Sequence, residues 1–248
     1  MKDRQAAIVD YVSTVGKVEV SVLAEHFNIS KVTIRKDLEF LSEKGILKRE
    51  RGYALLNDPD DINYRMAFHY EVKERIARAA AKQVADGETI LVEAGSTCAI
   101  FAEEAVRTHH NITIVTNSAH VAGFIKDELG ANIILLGGNY QKRRQAMVGP
   151  MTKACLSEFK FDKVFLGIDG YSREVGFTGN DLLRADTLEK MIQVSNHVYV
   201  LGESEKYGHS GAISFLKFED VHEVITDQGI HPEEVTFLKN KGINVTLV

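Results

Sequence analysis

From residue 89 onward, short apolar segments alternate with amphipathic helical patterns, and no other feature of the chain restricts its fold as much. The apolar segments, which we predict to be strands, span residues 89–93, 111–115, 132–136, 161–166, 197–201, 221–225 and 243–248. A helix between two strands returns the chain so that the strands run parallel. The pattern therefore predicts an α/β domain with a mostly parallel sheet that is covered by helices on both faces.

Several predicted strands end in small or polar residues, and in a parallel sheet these ends share one edge, where open α/β sheets bind ligands. Gly95, Ser96 and Thr97 precede a predicted helix, whose free amides can hold an anion. The other candidate residues at this edge are Asn117, Gly137, Gly138, Asp169, Gly170 and Lys206. One Gly-Ser-Thr triplet alone is more often a helix cap, but several such ends predict a pocket for a small phosphorylated polyol. Asn117 and Asp169 could bond hydroxyl groups, and Lys206 could either neutralise a phosphate or hold an acidic residue.

The N-terminal part of the chain has a different pattern, with three helices followed by a short hairpin. We predict the helices over residues 6–15, 20–27 and 30–41, and the hairpin strands over 46–49 and 52–56, with a helix end at 43–45. The apolar side chains predicted to face the core of the first and third helices are Ile8, Val9, Tyr11, Val12, Val32, Ile34, Leu38 and Leu41. This order of elements predicts a winged helix-turn-helix, whose third helix reads the major groove of DNA.

The third predicted helix combines a cap with a cationic first half. Ser30 can cap it by accepting a hydrogen bond from an amide two or three residues later. We assign Thr33 and Arg35 to base edges, and Lys31 and Lys36 to phosphate. The hairpin tip is predicted to carry Lys48, Arg49, Arg51 and Tyr53, which suit phosphate or the minor groove. A structural three-helix bundle, with residues 35–37 as a solvated face, is the alternative, but the combination of spacing, cap and basic wing favours DNA binding.

Charge is distributed unevenly along the chain. Residues 1–56 contain ten Lys and Arg against eight Asp and Glu, whereas the remainder contains 20 against 27, and the whole chain carries a net charge of -5. A mildly basic N-terminal segment followed by an acidic remainder is suited to specific DNA binding by a dimer. The polar stretch 57–61 marks the boundary. We predict a DNA-binding domain over residues 1–57, a linker over 58–70, and a ligand-binding and oligomerisation domain over 71–248.

Cysteine, histidine and hydropathy patterns point to no metal site, cofactor or membrane span. Cys98 and Cys155 lack a paired spacing, and His109 and His110 have no other ligands near them in the sequence. No segment reaches the roughly 18 uninterrupted apolar residues that a membrane helix needs, and the N-terminus has no signal-peptide pattern. The sequence therefore predicts a cytoplasmic protein with reduced thiols.

Nearly the whole chain resembles the DeoR family of bacterial transcriptional regulators. The matching segments are 33–38, 74–80, 94–97, 113–118, 136–138, 162–167, 169–170, 206–208 and 225–227. The resemblance implies a body similar to the fold of ribose-5-phosphate isomerase and glucosamine-6-phosphate deaminase, without their activity. It also implies a repressor of a sugar or polyol operon, with a phosphorylated sugar controlling operator affinity. Because one reading helix covers only a half-site, a homodimer or homotetramer is expected.

The chain departs from the family pattern at two places. Residues 49–54, Arg-Glu-Arg-Gly-Tyr-Ala, replace the usual Arg-x-His-Gly-Gly-Ala of the wing. Glu203 and Glu205 make the corner before Lys206 more acidic, which would either alter the choice of effector or weaken binding of a doubly charged phosphate. Residues 141–145 either compensate with positive charge or form a solvated loop. An isomerase or deaminase with an appended DNA-binding domain is the alternative function, with Asp169 and Asp186 as the carboxylates for a general base.

Overall fold

The computed structural model describes residues 3–43, 46–55, 61–128 and 130–248. It divides into two compact units, residues 1–72 and residues 73–248. The predicted helix end at residues 44 and 45, and most of the boundary predicted at 57–61, lie outside the described residues. The division between the units falls inside a helix, and the limits that we predicted for the domains and linker remain a prediction.

The first unit contains the winged helix-turn-helix that the sequence predicts. Its elements are α1 Asp3–Val15, β1 Lys17–Glu19, α2 Val20–His26, α3 Lys31–Glu43, β2 Lys48–Glu50, β3 Tyr53–Leu55, α4 Ile62–Ala67 and the beginning of α5, Tyr70–Ala81. The three short strands form a sheet in the order β1-β3-β2. Ile8, Leu23, Ile34 and Leu38 are fully buried where the first three helices pack together. Residues 62–67 of the predicted linker are helical.

Two core assignments in this unit need correction. Val32 is 61% exposed and faces solvent, because successive helix positions are rotated by about 100°, which places residue 32 nearly opposite the buried Ile34. Tyr11 is only half-buried, and its ring stacks on His26 with 4.1 Å between ring centroids. The alternative of residues 35–37 as a solvated face fails at Asp37, which is buried and accepts hydrogen bonds from Arg4 Nε at 2.7 Å and Gln5 Nε2 at 3.0 Å.

A titratable contact joins α1 to the first turn of α5. Asp10 Oδ1 accepts a hydrogen bond from the backbone amide of Tyr70 at 3.1 Å. Burial, followed by the charge of Glu71, raises the pKa of Asp10 to about 6, although His69 acts in the opposite direction. A carboxyl group whose pKa is raised on folding is stabilising while it is protonated, and that contribution is lost as pH rises through the folded value.

We therefore expect Asp10→Asn to make this unit more stable than the wild type at about pH 7.5, but not at about pH 4. The asparagine oxygen can still accept from Tyr70 and carries no charge. The difference in unfolding free energy should change by about 1–2 kcal/mol across this range, after discounting for partial exposure of Asp10. Urea unfolding of both proteins at several pH values measures this difference. If the two unfolding free energies change with pH in parallel, the raised pKa assigned to Asp10 is contradicted.

The second unit contains a seven-stranded, wholly parallel sheet in the order β15-β14-β12-β9-β4-β5-β6. Its strands are β4 Thr89–Val92, β5 Ile112–Thr116, β6 Ala131–Leu135, β9 Phe161–Gly167, β12 Ser195–Leu201, β14 Glu223–Thr226 and β15 Asn244–Leu247. All seven predicted strands are confirmed, with ends that differ by a few residues. The chain adds β5 and β6 on one side of β4, then β9 and the later strands on the other, so the topological switch point lies between β4 and β9.

Helices and smaller strands connect the main strands. They are α6 Ser96–Thr108, α7 Ala119–Phe124, α8 Pro150–Ser157, α9 Leu182–Gln193, α10 Pro232–Asn240, β7 Asn139–Gln141, β8 Ala146–Val148, β10 Gly170–Ser172, β11 Gly176–Gly179 and β13 Ile213–Leu216. The sequence did not predict the β7–β8 hairpin or the antiparallel β10-β11-β13 sheet. Across the described part of the chain, no helix has the length and apolar character needed to cross a membrane.

Candidate functional site

The reading helix α3 begins where the sequence predicts. Ser30 Oγ accepts a hydrogen bond from the amide of Thr33 at 3.1 Å, and the two hydroxyl groups lie 2.9 Å apart. This contact satisfies one of the free amides that every helix leaves at its N-terminus. The predicted cap is therefore confirmed, and it holds the Thr33 side chain against the start of the helix.

The cationic first half of α3 faces outward. Lys31, Arg35 and Lys36 are exposed, and Thr33 is half-buried. Within the described residues, none of these three cations forms an ion pair. Asp37 on the other face binds Arg4 and Gln5, so it does not neutralise them through a direct contact. The helix therefore presents uncompensated positive charge on the surface that would meet DNA.

The wing is a two-residue hairpin. Arg51 and Gly52 have φ values of 39° and 94°, and Glu50 pairs with Tyr53 across the turn. Positive φ at both central residues is the geometry of a type I′ turn, which matches the twist of the flanking strands. Arg51 is therefore at the tip, as predicted.

The other residues assigned to the tip lie along the two strands of the wing. Lys48 is at the far end of β2, where its Nζ lies 2.8 Å from Glu50 Oε1, which corrects its placement. Arg49 is exposed on the same strand. Tyr53 is 38% exposed and starts β3, with Lys17 Nζ 4.8 Å from its ring centroid. The exposed cations of the wing are therefore spread along the hairpin instead of being gathered at its turn.

A buried charge cluster occupies the switch point between β4 and β9. Arg184, near the start of α9, donates to Glu93 Oε1 from Nε at 2.9 Å and from Nη2 at 2.7 Å. Its Nη1 donates to Asp169 Oδ2 at 3.2 Å. Burial opposes the charge of Arg184, but Glu93 and Asp169 outweigh it and leave the pKa of the guanidinium raised. Arg184 thus fixes the ends of two adjacent strands, and Asp169 is confirmed to lie at this edge.

The start of α6 lies beside this cluster. Gly95 precedes the helix, and Ser96 and Thr97 in its first turn are 8% and 3% exposed. A Cβ atom on Gly95 would lie 2.9 Å from Glu93 Oε2 and 3.6 Å from the Cα of Gly167, so a side chain there would crowd the cluster. The helix N-terminus that the sequence predicted as an anion site is present, and binding by these residues remains a prediction.

Asn117 is largely engaged by the protein itself. Its side chain is buried, and Nδ2 donates to the carbonyl of Met147 at 2.9 Å. The Met147 amide donates in return to the Asn117 carbonyl at 2.7 Å, which attaches the β7–β8 hairpin to the end of β5. Only Oδ1 lacks a hydrogen-bond partner among the described residues. Asn117 can therefore accept from a ligand hydroxyl through Oδ1, while the Met147 carbonyl takes one of the two hydrogens of Nδ2.

Three of the predicted ligand residues have packing roles in the structure. The Gly137 carbonyl accepts from Thr152 Oγ1 at 2.8 Å. Gly138 has a φ of 154° and packs against the same threonine, and a Cβ on Gly170 would collide with the carbonyl of His209. These contacts explain why glycine occupies positions 138 and 170, and any role of the three glycines in ligand binding remains a prediction.

Of the two glutamates in the acidic corner after β12, Glu205 is exposed, whereas the charge of Glu203 is compensated inside the protein. Glu203 is buried, and its Oε1 lies 2.8 Å from Lys73 Nζ. Burial opposes its charge, but Lys73 and then Lys206 lower the pKa of Glu203 to about 2. The carboxylate is therefore ionised and compensated. Of the two roles considered for Lys206, the hold on an acidic residue has support in this effect, although its side chain also remains partly exposed.

Residues 141–145 approach the charge cluster. Gln141 Nε2 donates to Asp181 Oδ2 at 2.8 Å, and Arg144 Nη1 lies 3.8 Å from Asp169 Oδ1. Lys142 and Arg143, at the turn, are exposed. The loop therefore contributes one cation to the predicted ligand site at the carboxyl ends of the parallel strands, which we call the strand-end site. The solvated-loop interpretation fits only the turn of the loop.

Sequence reasoning missed three residues that shape this site, Glu93, Arg184 and Lys73. Glu93 ends a buried strand, and an acidic residue there should have indicated a compensating cation. Nothing local identifies that cation, because Arg184 is separated from Glu93 by 91 residues. Cys98 is buried and Cys155 half-buried, and the described residues contain no group of three or more His, Cys, Asp and Glu placed to hold a metal.

Comparison with known proteins gives matches to both units. A model described as the DeoR-like helix-turn-helix domain matches residues 4–60, and the DeoR C terminal sensor domain matches residues 68–228. The glycerol-3-phosphate regulon repressor of Escherichia coli (strain K12) is 32% identical over 228 residues, which are 90% of each chain. The putative aga operon transcriptional repressor of Escherichia coli O157:H7 is 27% identical over 99% of this chain and 93% of that protein. Ribose 5 phosphate isomerase A from Neisseria gonorrhoeae matches with a TM-score of 0.42 and 16% identity, over 56% of this chain and 54% of that one.

Proposed function

This chain belongs to the DeoR family of transcriptional regulators, and from that premise we propose that a phosphorylated sugar controls its affinity for operator DNA. The protein is a DNA-binding transcriptional repressor of sugar catabolism, like the named relatives. The observation that supports effector control best is the strand-end site of the second unit. There the N-terminus of α6, the partly exposed Lys206 and the Asp169 carboxylate that Arg184 binds all follow the carboxyl ends of strands in the parallel sheet, and the Arg144 guanidinium lies 3.8 Å from Asp169 Oδ1.

Recognition of DNA is assigned to α3 and the wing. Thr33 and Arg35 contact base edges, while Ser30, Lys31 and Lys36 contact phosphate. The exposed wing residues Arg49, Arg51 and Tyr53 contact the backbone or the minor groove. The two copies of α3 in a homodimer, or in a pair within a homotetramer, read two half-sites of one operator.

Recognition of the effector divides between its charged and its neutral ends. The phosphate lies at the first turn of α6, near Gly95, Ser96 and Thr97, with Lys206 as the compensating cation. The hydroxyl groups face Asp169 and the free Oδ1 of Asn117. Arg184 donates to Oδ2 of Asp169 and Arg144 lies 3.8 Å from Oδ1, so the carboxylate keeps a fixed orientation beside the proposed ligand hydroxyl groups.

An enzymatic role has less support. A general base needs a lone pair that can reach a substrate carbon. Asp169 binds Arg184, and Asp186 accepts from Lys153 Nζ at 2.6 Å, so both candidate carboxylates are already engaged by cations. A coupled assay for interconversion of pentose and hexose phosphates tests this alternative, and sustained turnover would favour it.

The effector proposal is tested with a panel of phosphorylated sugars and inorganic phosphate. We expect one or more triose, pentose or hexose phosphates to raise the melting temperature and to change the affinity for an operator selected from random DNA by the protein. A ligand at 100 times its Kd stabilises a folded protein by about 2.7 kcal/mol, which a thermal shift detects. If no compound in the panel stabilises the protein, the effector proposal is contradicted, and the protein binds DNA without an effector of this class.

Ser96→Asp should abolish the response to the effector while operator binding in its absence is retained. The new carboxylate repels a phosphate at the first turn of α6, yet an acidic residue is favourable for the helix itself at that position. Ser96→Asn is the matched control, because it adds nearly the same volume without charge. Fluorescence anisotropy with labelled operator, with and without the effector, measures the response. Equal induction of the aspartate variant and the wild type would remove this turn from the phosphate site.

A further inference from the structure

The buried ion pair between Lys73 and Glu203 connects two functionally distinct places. Lys73 is 2% exposed and Glu203 is 5% exposed, and their charged atoms lie 2.8 Å apart. Burial of two charges costs about as much as their attraction returns, so well-packed apolar residues often serve stability equally well. Fixing a register or a switch is the best-attested use of such a pair.

Glu203 lies three residues before Lys206 of the strand-end site and is not among the residues proposed to contact the effector. It lies two residues beyond Leu201, where β12 ends, and its carbonyl accepts from the amide of Lys206 at 3.0 Å. The charges of Lys73 and Lys206 both act on the Glu203 carboxylate. An anion bound to Lys206 therefore places a second negative charge beside Glu203 and competes with it for both ammonium groups.

Lys73 is part of the helix that crosses the boundary between the units. The division falls between residues 72 and 73, inside α5 Tyr70–Ala81. In the first unit, Tyr70 is 1% exposed and its amide donates to Asp10 Oδ1 at 3.1 Å. Residues three apart share a helix face, so residues 70 and 73 lie on the same face of α5.

We propose that the Lys73–Glu203 pair transmits effector binding to α5, and through α5 to the unit that contains the reading helix. Anion binding at Lys206 weakens the hold of Glu203 on Lys73, which releases or shifts α5. The inference rests on the proposed function, since it requires an anionic effector at the strand-end site. Coupling of this kind is reciprocal, so operator DNA weakens effector binding by the same factor.

The test compares coupling in the wild type with that in the double variant Lys73→Met/Glu203→Gln. The replacements keep nearly the same side-chain volumes and remove both charges together, so neither partner is left buried and unpaired. Coupling is the ratio of operator Kd values measured with and without the phosphosugar that most stabilises the wild type. We expect a ratio of about 5–150 in the wild type, and a ratio approaching one in the double variant. The same phosphosugar should still stabilise that variant against heat.

Two further variants separate transmission from general stability. Lys73→Arg keeps the charge and should retain most of the coupling. Lys163→Met/Glu88→Gln removes another ion pair with the same 2.8 Å distance, formed near the opposite ends of the strands, and should leave coupling unchanged.

The possible results have distinct meanings. Coupling that persists within about twofold in Lys73→Met/Glu203→Gln would overturn this inference alone. Absence of any phosphosugar response in the wild type would overturn the proposed function and the inference with it. If the double variant does not fold, hydrogen exchange of the wild type decides: the phosphosugar should change exchange at the amides of residues 70–77, and unchanged exchange there would refute transmission through α5.

Discussion

Replacing Arg184 with methionine should lower the free energy of unfolding of the second unit by about 3–5 kcal/mol, the range for breaking one partner of a buried ion pair. Glu93 is 0% exposed and takes two hydrogen bonds from this guanidinium. Without Arg184 the charge of Glu93 has no compensating cation among the described residues, and Asp169 loses a guanidinium that lies closer to it than that of Arg144. In a unit of this size the loss corresponds to a decrease in melting temperature of roughly 6–20 °C.

The Arg184 prediction has a rescue and a control, an exposed ion pair between Lys153 of α8 and Asp186 of α9. Lys153→Met breaks the Lys153–Asp186 pair, whose side chains are 36% and 41% exposed, and should cost less than about 1 kcal/mol. Adding Glu93→Gln to Arg184→Met removes the buried charge and should recover a large part of the lost stability, because the amide oxygen can still accept from Gly167. Urea unfolding of the four proteins measures these differences. A cost for Arg184→Met as small as that for Lys153→Met would show that Glu93 is solvated.

Replacing Arg35 with alanine should weaken binding to the selected operator by about 1–3 kcal/mol, or about 5–150-fold, if Arg35 reads a base edge. Arg35 is exposed on α3, and its alanine variant leaves the buried face of Ile34, Leu38 and Leu41 intact. The loss should be much smaller for random DNA, since a base contact contributes to specificity. Fluorescence anisotropy with operator and with scrambled duplex measures both affinities.

Lys36→Ala is the comparison for Arg35→Ala, because Lys36 is assigned to phosphate. This substitution should weaken binding to operator DNA and to scrambled DNA by similar factors. It should also reduce the slope of log K against log salt concentration by about one. If Arg35→Ala behaves in the same way as Lys36→Ala, then Arg35 also contacts phosphate and base reading lies elsewhere on α3. An Arg35→Ala protein with unchanged operator affinity would remove Arg35 from the interface.

Local signals in the sequence predicted the elements and the general place of the site. The Ser30 cap depends on atoms three residues apart, and it is present. The apolar segments predicted all seven strands of the parallel sheet, because each signal lies within one short segment and its flanking turn. The positions of Gly95 and Asp169 at strand ends then follow, since parallel strands place their carboxyl ends at one edge. The exposed cations of α3 could also be identified from local signals, because the Ser30 cap and the helix period lie within one short segment.

Only the tertiary structure decided which charges meet. Asp37 gave no local sign that it would be buried, yet it binds Gln5 on another helix. Glu203 looked like a repulsive corner, yet Lys73 compensates it. Arg184 gave no local signal at all. The physical reason is that helix periods, caps and turns arise within one or two turns of chain, whereas a charge pair depends on strand order and helix packing. Those are set by many weak contacts summed over the whole unit, so no single stretch of sequence encodes which partners they bring together.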